Sequence, residues 1–208
     1  MTIKQIYLKY QLPKNLQTHM LAVASLTLII SNNWQGEEIN KKDLITCALL
    51  HDIAKPVTFD PDKQKQFVKF KKELNQLHKL INNMTLKYGT DEHQAAIQIF
   101  KELGFSKNII SLIDNLEWIY LPQLLKENKM EALILNYADM RIGPKGIISL
   151  KQRFDELKKR EPFKGINKIA SLSGILEKYI QEKTKIKLNS ITKSDLNNNF
   201  EKLLLKQV

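Results

Sequence analysis

The sequence predicts an all-α fold, a single helical bundle followed by a C-terminal helical extension. Apolar residues recur at i, i+3, i+4 spacing along most of the chain, no stretch reads as a clear strand, and Gly, Pro and Asn punctuate the periodic runs. A chain of 208 residues with 43% hydrophobic content can bury one sizeable core. The economical division is a bundle over residues 1–160 and an extension over 161–208 packed on it.

The first helix is expected from Leu12 to Ile30, with Pro13 near its start and Leu16, His19, Val23, Leu26 and Ile30 on one stripe. The second runs from Lys41 to Lys55. Asn40 is its N-cap, Asp43 makes an acidic variant of the capping box, and Pro56 stops the run by disfavouring helix at Lys55. Leu44, Cys47, Ala48 and His51 face inward, with His51 and Asp52 in the last turn. Phe67, Phe70, Leu74, Leu77 and Ile81 mark the next apolar face, with Lys63, Lys65, Lys69, Lys71 and Lys72 on the solvated side of the same helix. A helix beginning near Thr90 carries His93, Ala96, Phe100 and Leu103. Residues 106–118 and 121–142 continue the bundle, and Gly143-Pro-Lys-Gly146 is a stop and restart. Helices over 147–159, 164–184 and 195–206 complete the chain.

Charge and cysteine content narrow the function. The net charge of +11 comes almost wholly from lysine spread through the chain. It therefore reads as a general bias that attracts phosphorylated ligands rather than as a recognition stripe, and nucleic acid is not the favoured partner. Cys47 is the sole cysteine, which excludes a disulfide framework and a thiolate zinc site and points to the cytoplasm. The apolar run 20–30 falls short of the ~20 residues that span a bilayer, so no membrane role is expected.

Polar groups on apolar faces carry the chemistry. Asp139 shares a stripe with Ala132, Leu135 and Ile142, where an unpaired carboxylate is costly. Such a site implies a counter-charge, a proton or a metal. His19 is the strongly polar member of its own stripe. His51 and Asp52 are adjacent residues whose side chains point about 100° apart, so both can touch only something lying between them. Two imidazoles and two carboxylates facing inward from three helices form a mixed N/O set suited to a divalent cation.

His19, the string Ala48-Leu-Leu-His-Asp-Ile-Ala-Lys55, and Tyr137-Ala-Asp139 together resemble the H…HD…D signature of the HD-domain superfamily of metal-dependent phosphohydrolases. The resemblance covers residues 12–143. It implies a helical bundle of the HD type in which His19, His51, Asp52 and Asp139 ligate one divalent ion (Mn, Fe, Co, Ni, Mg or Zn). It also implies hydrolysis of a phosphate ester by water activated on that ion, in which Asp52 takes part. The expected substrate is a phosphorylated small molecule, first of all a nucleotide. The alternatives are a phosphodiesterase acting on cyclic or oligomeric nucleotides, and a non-catalytic HD module that binds nucleotide or nucleic acid.

Phosphoryl transfer needs positioning and charge neutralisation. Two cations lie near the signature: Lys55, one turn after His51, and Arg141, whose planar fork suits phosphate in a lysine-rich chain. The run His93-Gln-Ala-Ala-Ile-Gln-Ile-Phe-Lys-Glu-Leu-Gly104 resembles the segment of HD proteins that adds a second histidine layer. The further histidine usual in dinuclear members is missing from Leu112 to Trp118, where Glu117 is the nearest substitute. The expected site is therefore mononuclear, with His93 contacting substrate or transferring a proton. His78 lies beside an apolar stripe and is expected at its boundary.

Overall fold

The computed structural model describes residues 1–65, 70–160 and 163–208. Two helices at its centre are buried nearly all round, and they position everything else. The first is α2 (Lys14–Asn32), in which Met20, Leu21, Val23, Ala24, Ser25, Leu26 and Thr27 are all buried. The other is α9 (Met130–Arg141), where every residue except Glu131 and Asp139 is buried. Single stripes therefore understated both helices, because each is packed on several sides. α2 rests on α3 (Lys41–Leu50) and on α9.

Several elements differ from the sequence expectation for local reasons. A short helix, α1 (Ile3–Lys9), precedes α2; a reciprocal capping box between Thr2 and Gln5 starts it, and Ile3, Ile6 and Tyr7 fill the core. The buried Tyr7 hydroxyl donates to the Leu49 carbonyl at 2.6 Å, tying α1 to α3. Asn40 caps α3 through Asp43 N–H, as expected. The helix stops at Leu50 rather than Lys55. The His51 ring takes the Ala48 carbonyl, and i→i+3 bonds from Ile53 to Leu50 and from Lys55 to Asp52 tighten the chain into a turn. A 3₁₀ turn over Lys55–Thr58 follows.

Next come a one-turn helix, α4 (Pro61–Gln64), and the long α5 (Lys71–Tyr88). The buried residues of α5 are Leu77, Leu80, Met84 and Tyr88. Phe70 lies at its N-cap and is 68% exposed, so the expected face is displaced toward the C-terminal end. Phe67 and Lys69 lie outside the described residues. His78 is exposed rather than at the boundary.

α6 (Glu92–Glu102) is capped by Asp91, and α7 (Lys107–Asp114) by Ser106. The expected helix over 106–118 ends early at Asp114, and a 3₁₀ turn spans Trp118–Tyr120. The expected run 121–142 is two helices, α8 (Leu121–Glu127) and α9, separated at Asn128 in the left-handed conformation with φ of 56°. After α9 the restart is a small antiparallel hairpin, β1 (Ile142–Gly143) and β2 (Gly146–Ile147). Its tight turn uses φ of +113° at Gly146. At Gly143 a Cβ would lie 2.5 Å from the Ile148 side chain.

α10 (Leu150–Arg160) and α11 (Ile166–Glu182) pack on each other and on α9. The expected last helix is two short ones, α12 (Lys193–Asn197) and α13 (Phe200–Leu204), both lying against α2. The Ser25 hydroxyl, buried in α2, donates to the Leu196 carbonyl at 2.9 Å and accepts from Asn199 at 2.8 Å. Among the described residues no helix is long and apolar enough to cross a membrane.

Candidate metal centre and its pocket

Two helices and a turn assemble a compact polar cluster. α2 supplies His19, the tight turn after α3 supplies His51 and Asp52, and the last turn of α9 supplies Asp139. His19 Nε2 lies 3.1 Å from Asp139 Oδ1 and 3.5 Å from Asp52 Oδ2. His51 Nε2 lies 3.6 Å from Asp139 Oδ1 and 3.7 Å from Asp52 Oδ2. Two ligand atoms each about 2.1 Å from one ion are about 3.0–3.4 Å apart at right-angled to tetrahedral geometry, close to these spacings. The donor atoms of His19, His51 and Asp139 all fall within 4.8 Å of one another. Asp52 is not among those three but borders them, touching both imidazoles.

Hydrogen bonding fixes which atoms face inward. The Ala48 carbonyl can only accept, so the 2.8 Å contact makes His51 Nδ1 the protonated nitrogen and leaves the Nε2 lone pair directed at the cluster. His51 Nε2 is buried and has no hydrogen-bond partner. Burial of that kind is unfavourable unless something fills the gap, and a cation among two carboxylates would do so. The residues therefore fit a divalent ion. Asp139 is positioned from its far side as well: the Trp118 indole N–H donates to Oδ2 at 3.2 Å, leaving Oδ1 for the imidazoles.

Electrostatics agree with that reading. Burial opposes ionisation of Asp139, yet His19 and His51 hold its carboxyl well below the usual range. Burial works against charge on His51 as well, but Asp52 and Asp139 together push its imidazole up to about 9. An ion among these carboxylates would take the place of that proton, with the neutral Nε2 lone pair as its ligand.

The cluster opens into a pocket of about 1360 Å³. Lys55 lines it, 3.1 Å from Glu92, which also accepts from Thr58 at 2.8 Å. Burial disfavours charge on Lys55, but Asp52 and Glu92 overcome it and hold the ammonium charged. His93 lines the same pocket, with Nε2 3.0 Å from Asp114 Oδ1 and Nδ1 3.6 Å from Glu117 Oε1. Glu117 thus stands beside His93.

A model of the HD domain matches residues 16–139, more than half of the chain, beginning just before His19 and ending on Asp139. The chain belongs to the HD domain family. No curated protein and no solved structure matches it. The HD superfamily is one of metal-dependent phosphohydrolases, and its helical architecture is the one observed. In this HD protein, His19, His51 and Asp139 form a cluster compatible with the metal site of the family.

Arg141 requires a correction. Its guanidinium is 4% exposed, donates from Nε to the Ile148 carbonyl and from Nη1 to the Tyr137 hydroxyl, and pairs with Glu177 at 3.0 Å. It staples the hairpin and α11 to α9 instead of reaching phosphate, and it does not line the pocket. The arginine that does line it is Arg153 of α10, for which the sequence reading had no role. Trp118 was missed too. Its sequence signal was only an aromatic residue at an expected helix end, and its contact with Asp139 arises from tertiary packing.

Proposed function

We propose that this HD protein is a divalent-metal-dependent phosphohydrolase acting on phosphomonoesters, nucleotides first among them, with one ion held by His19, His51, Asp52 and Asp139. The observation that carries the reading is the bare, buried Nε2 of His51, facing two carboxylates at the floor of an open pocket. A bound divalent ion lowers the pKa of water and polarises a phosphoryl oxygen.

The chain's own residues do the rest. Lys55, kept charged and oriented by Glu92, offsets the negative charge of a phosphate entering beside Asp52. His93 sits within the pocket with Asp114 against one ring nitrogen, an arrangement that orients the imidazole to hand a proton to the departing oxygen. The positive net charge of the chain favours capture of phosphorylated substrates.

The test is metal analysis of the purified protein followed by phosphate release from phosphomonoesters, nucleotides and cyclic dinucleotides with Mn²⁺, Co²⁺ or Mg²⁺. The expected result is metal-dependent turnover of monoesters that chelation abolishes. Full metal occupancy without hydrolysis of any compound would sink the enzyme reading.

A further inference from the structure

Among the described residues, Arg153, Lys164 and Lys168 line the pocket without a carboxylate partner, and of these three Arg153 has a buried, unsatisfied side-chain nitrogen. Its backbone N–H is satisfied within the start of α10 by Ser149, but among the described residues its side chain has no carboxylate partner. The Nε atom is buried and makes no hydrogen bond. The guanidinium carbon lies 5.7 Å from the centroid of the Trp118 ring, and Phe154 and Phe163 pack on that same indole at 5.8 and 6.4 Å. A cation–π contact offsets only part of the cost of a partly desolvated, unpaired guanidinium; an anion would supply the remainder. Lys55, by contrast, already holds Glu92.

Trp118 connects this arginine to the metal centre, because the ring that carries Arg153 also donates its N–H to Asp139. We propose that Arg153 is the phosphate-holding residue of the pocket, gripping the terminal oxygens of a phosphate monoester bound at the centre, with Trp118 as the positioning residue for both Arg153 and Asp139. The chemistry favours monoesters over diesters. A monoester has three terminal oxygens, enough for one to face an ion and two to meet a planar fork, whereas a diester has only two in all. This assignment rests on the phosphohydrolase reading for the identity of the anion, while the anion site itself does not depend on turnover.

The experiment is calorimetric titration of the metal-loaded protein with inorganic phosphate and, separately, with dimethyl phosphate, alongside metal analysis. Arg153→Gln is expected to weaken phosphate binding by about ten- to a hundredfold at unchanged metal content, as loss of a charge-assisted hydrogen bond implies. Arg153→Lys, which keeps the charge but not the fork, should restore part of it and serves if the glutamine variant fails to fold. Dimethyl phosphate should bind more weakly than phosphate to the wild type. Wild-type phosphate affinity in metal-replete Arg153→Gln, or in Arg153→Lys where the former is unfolded, overturns the proposal. Equal binding of the two anions overturns its preference for monoesters. Phosphate binding that needs Arg153 in a protein without turnover removes the hydrolase reading and leaves the anion site standing.

Discussion

His51 and His93 line the same pocket, yet their ring nitrogens meet opposite conditions. His51 is 1% exposed, with one nitrogen fixed by a backbone carbonyl and the other left without a hydrogen bond. His93 is 21% exposed, and both its nitrogens face carboxylates, Asp114 and Glu117. In the first environment a buried ring nitrogen stands 3.6 and 3.7 Å from two carboxylate oxygens, an arrangement that a cation between them would satisfy. In the second, one nitrogen is hydrogen-bonded to Asp114 and the ring remains partly exposed to water, which suits exchange of protons. The difference lies less in the residue type than in which atom the surrounding helices leave without a neighbour.

The sharpest way to break this comparison is His51→Ala. It is expected to weaken metal binding by more than about a hundredfold and to abolish metal-dependent activity while the helical signal persists. Wild-type protein should gain about 2.7 kcal/mol of stability at metal concentrations a hundredfold above Kd, and the variant should gain none; thermal melts with and without Mn²⁺ check both. A preserved metal-induced rise in Tm in the variant would move the ion elsewhere.

His93→Gln tests the other half. Metal content should stay as in the wild type while kcat falls by about a hundredfold or more and the pH–rate profile loses one limb. Loss of metal in that variant would transfer His93 to the ligand set. A smaller effect is expected from Trp118→Phe, which keeps an aromatic ring under Arg153 but removes the donor to Asp139. Metal affinity should drop by about tenfold, read by competition with a chelating dye. Smallest of all is His78→Gln. This exposed histidine, outside the pocket lining, should leave metal content and turnover unchanged and alter stability by less than about 0.5 kcal/mol.

The cluster of His19, His51 and Asp139 was legible because each is a polar group on an otherwise apolar stripe, while Asp52, in the turn after α3, was marked only by its place in the His-Asp string. The neighbours of the cluster were not legible. Arg141 follows Asp139 closely in sequence, but the last turn of α9 sends its side chain toward Glu177, a residue on α11 that no local pattern couples to it. Arg153 and Trp118 come together only because α10 folds back over the turn after α7. Helix ends were the weakest part of the reading. The stop at Leu50 depends on a side chain capturing a carbonyl, and the break at Asn128 on a left-handed residue whose neighbours are good helix formers. α1 could have been found, since Thr2 and Gln5 have capping-box spacing ahead of buried Ile6 and Tyr7.

The bond from Ser25 to Leu196 gives the final turns of the chain a stake in the chemistry. α12 and α13 clasp the same helix that presents His19, so they brace that imidazole from behind. Shaving off these turns would open the back of α2 to water, strand the Ser25 hydroxyl and let that helix slide or tilt, detuning the cation's cage without touching any group that grips it.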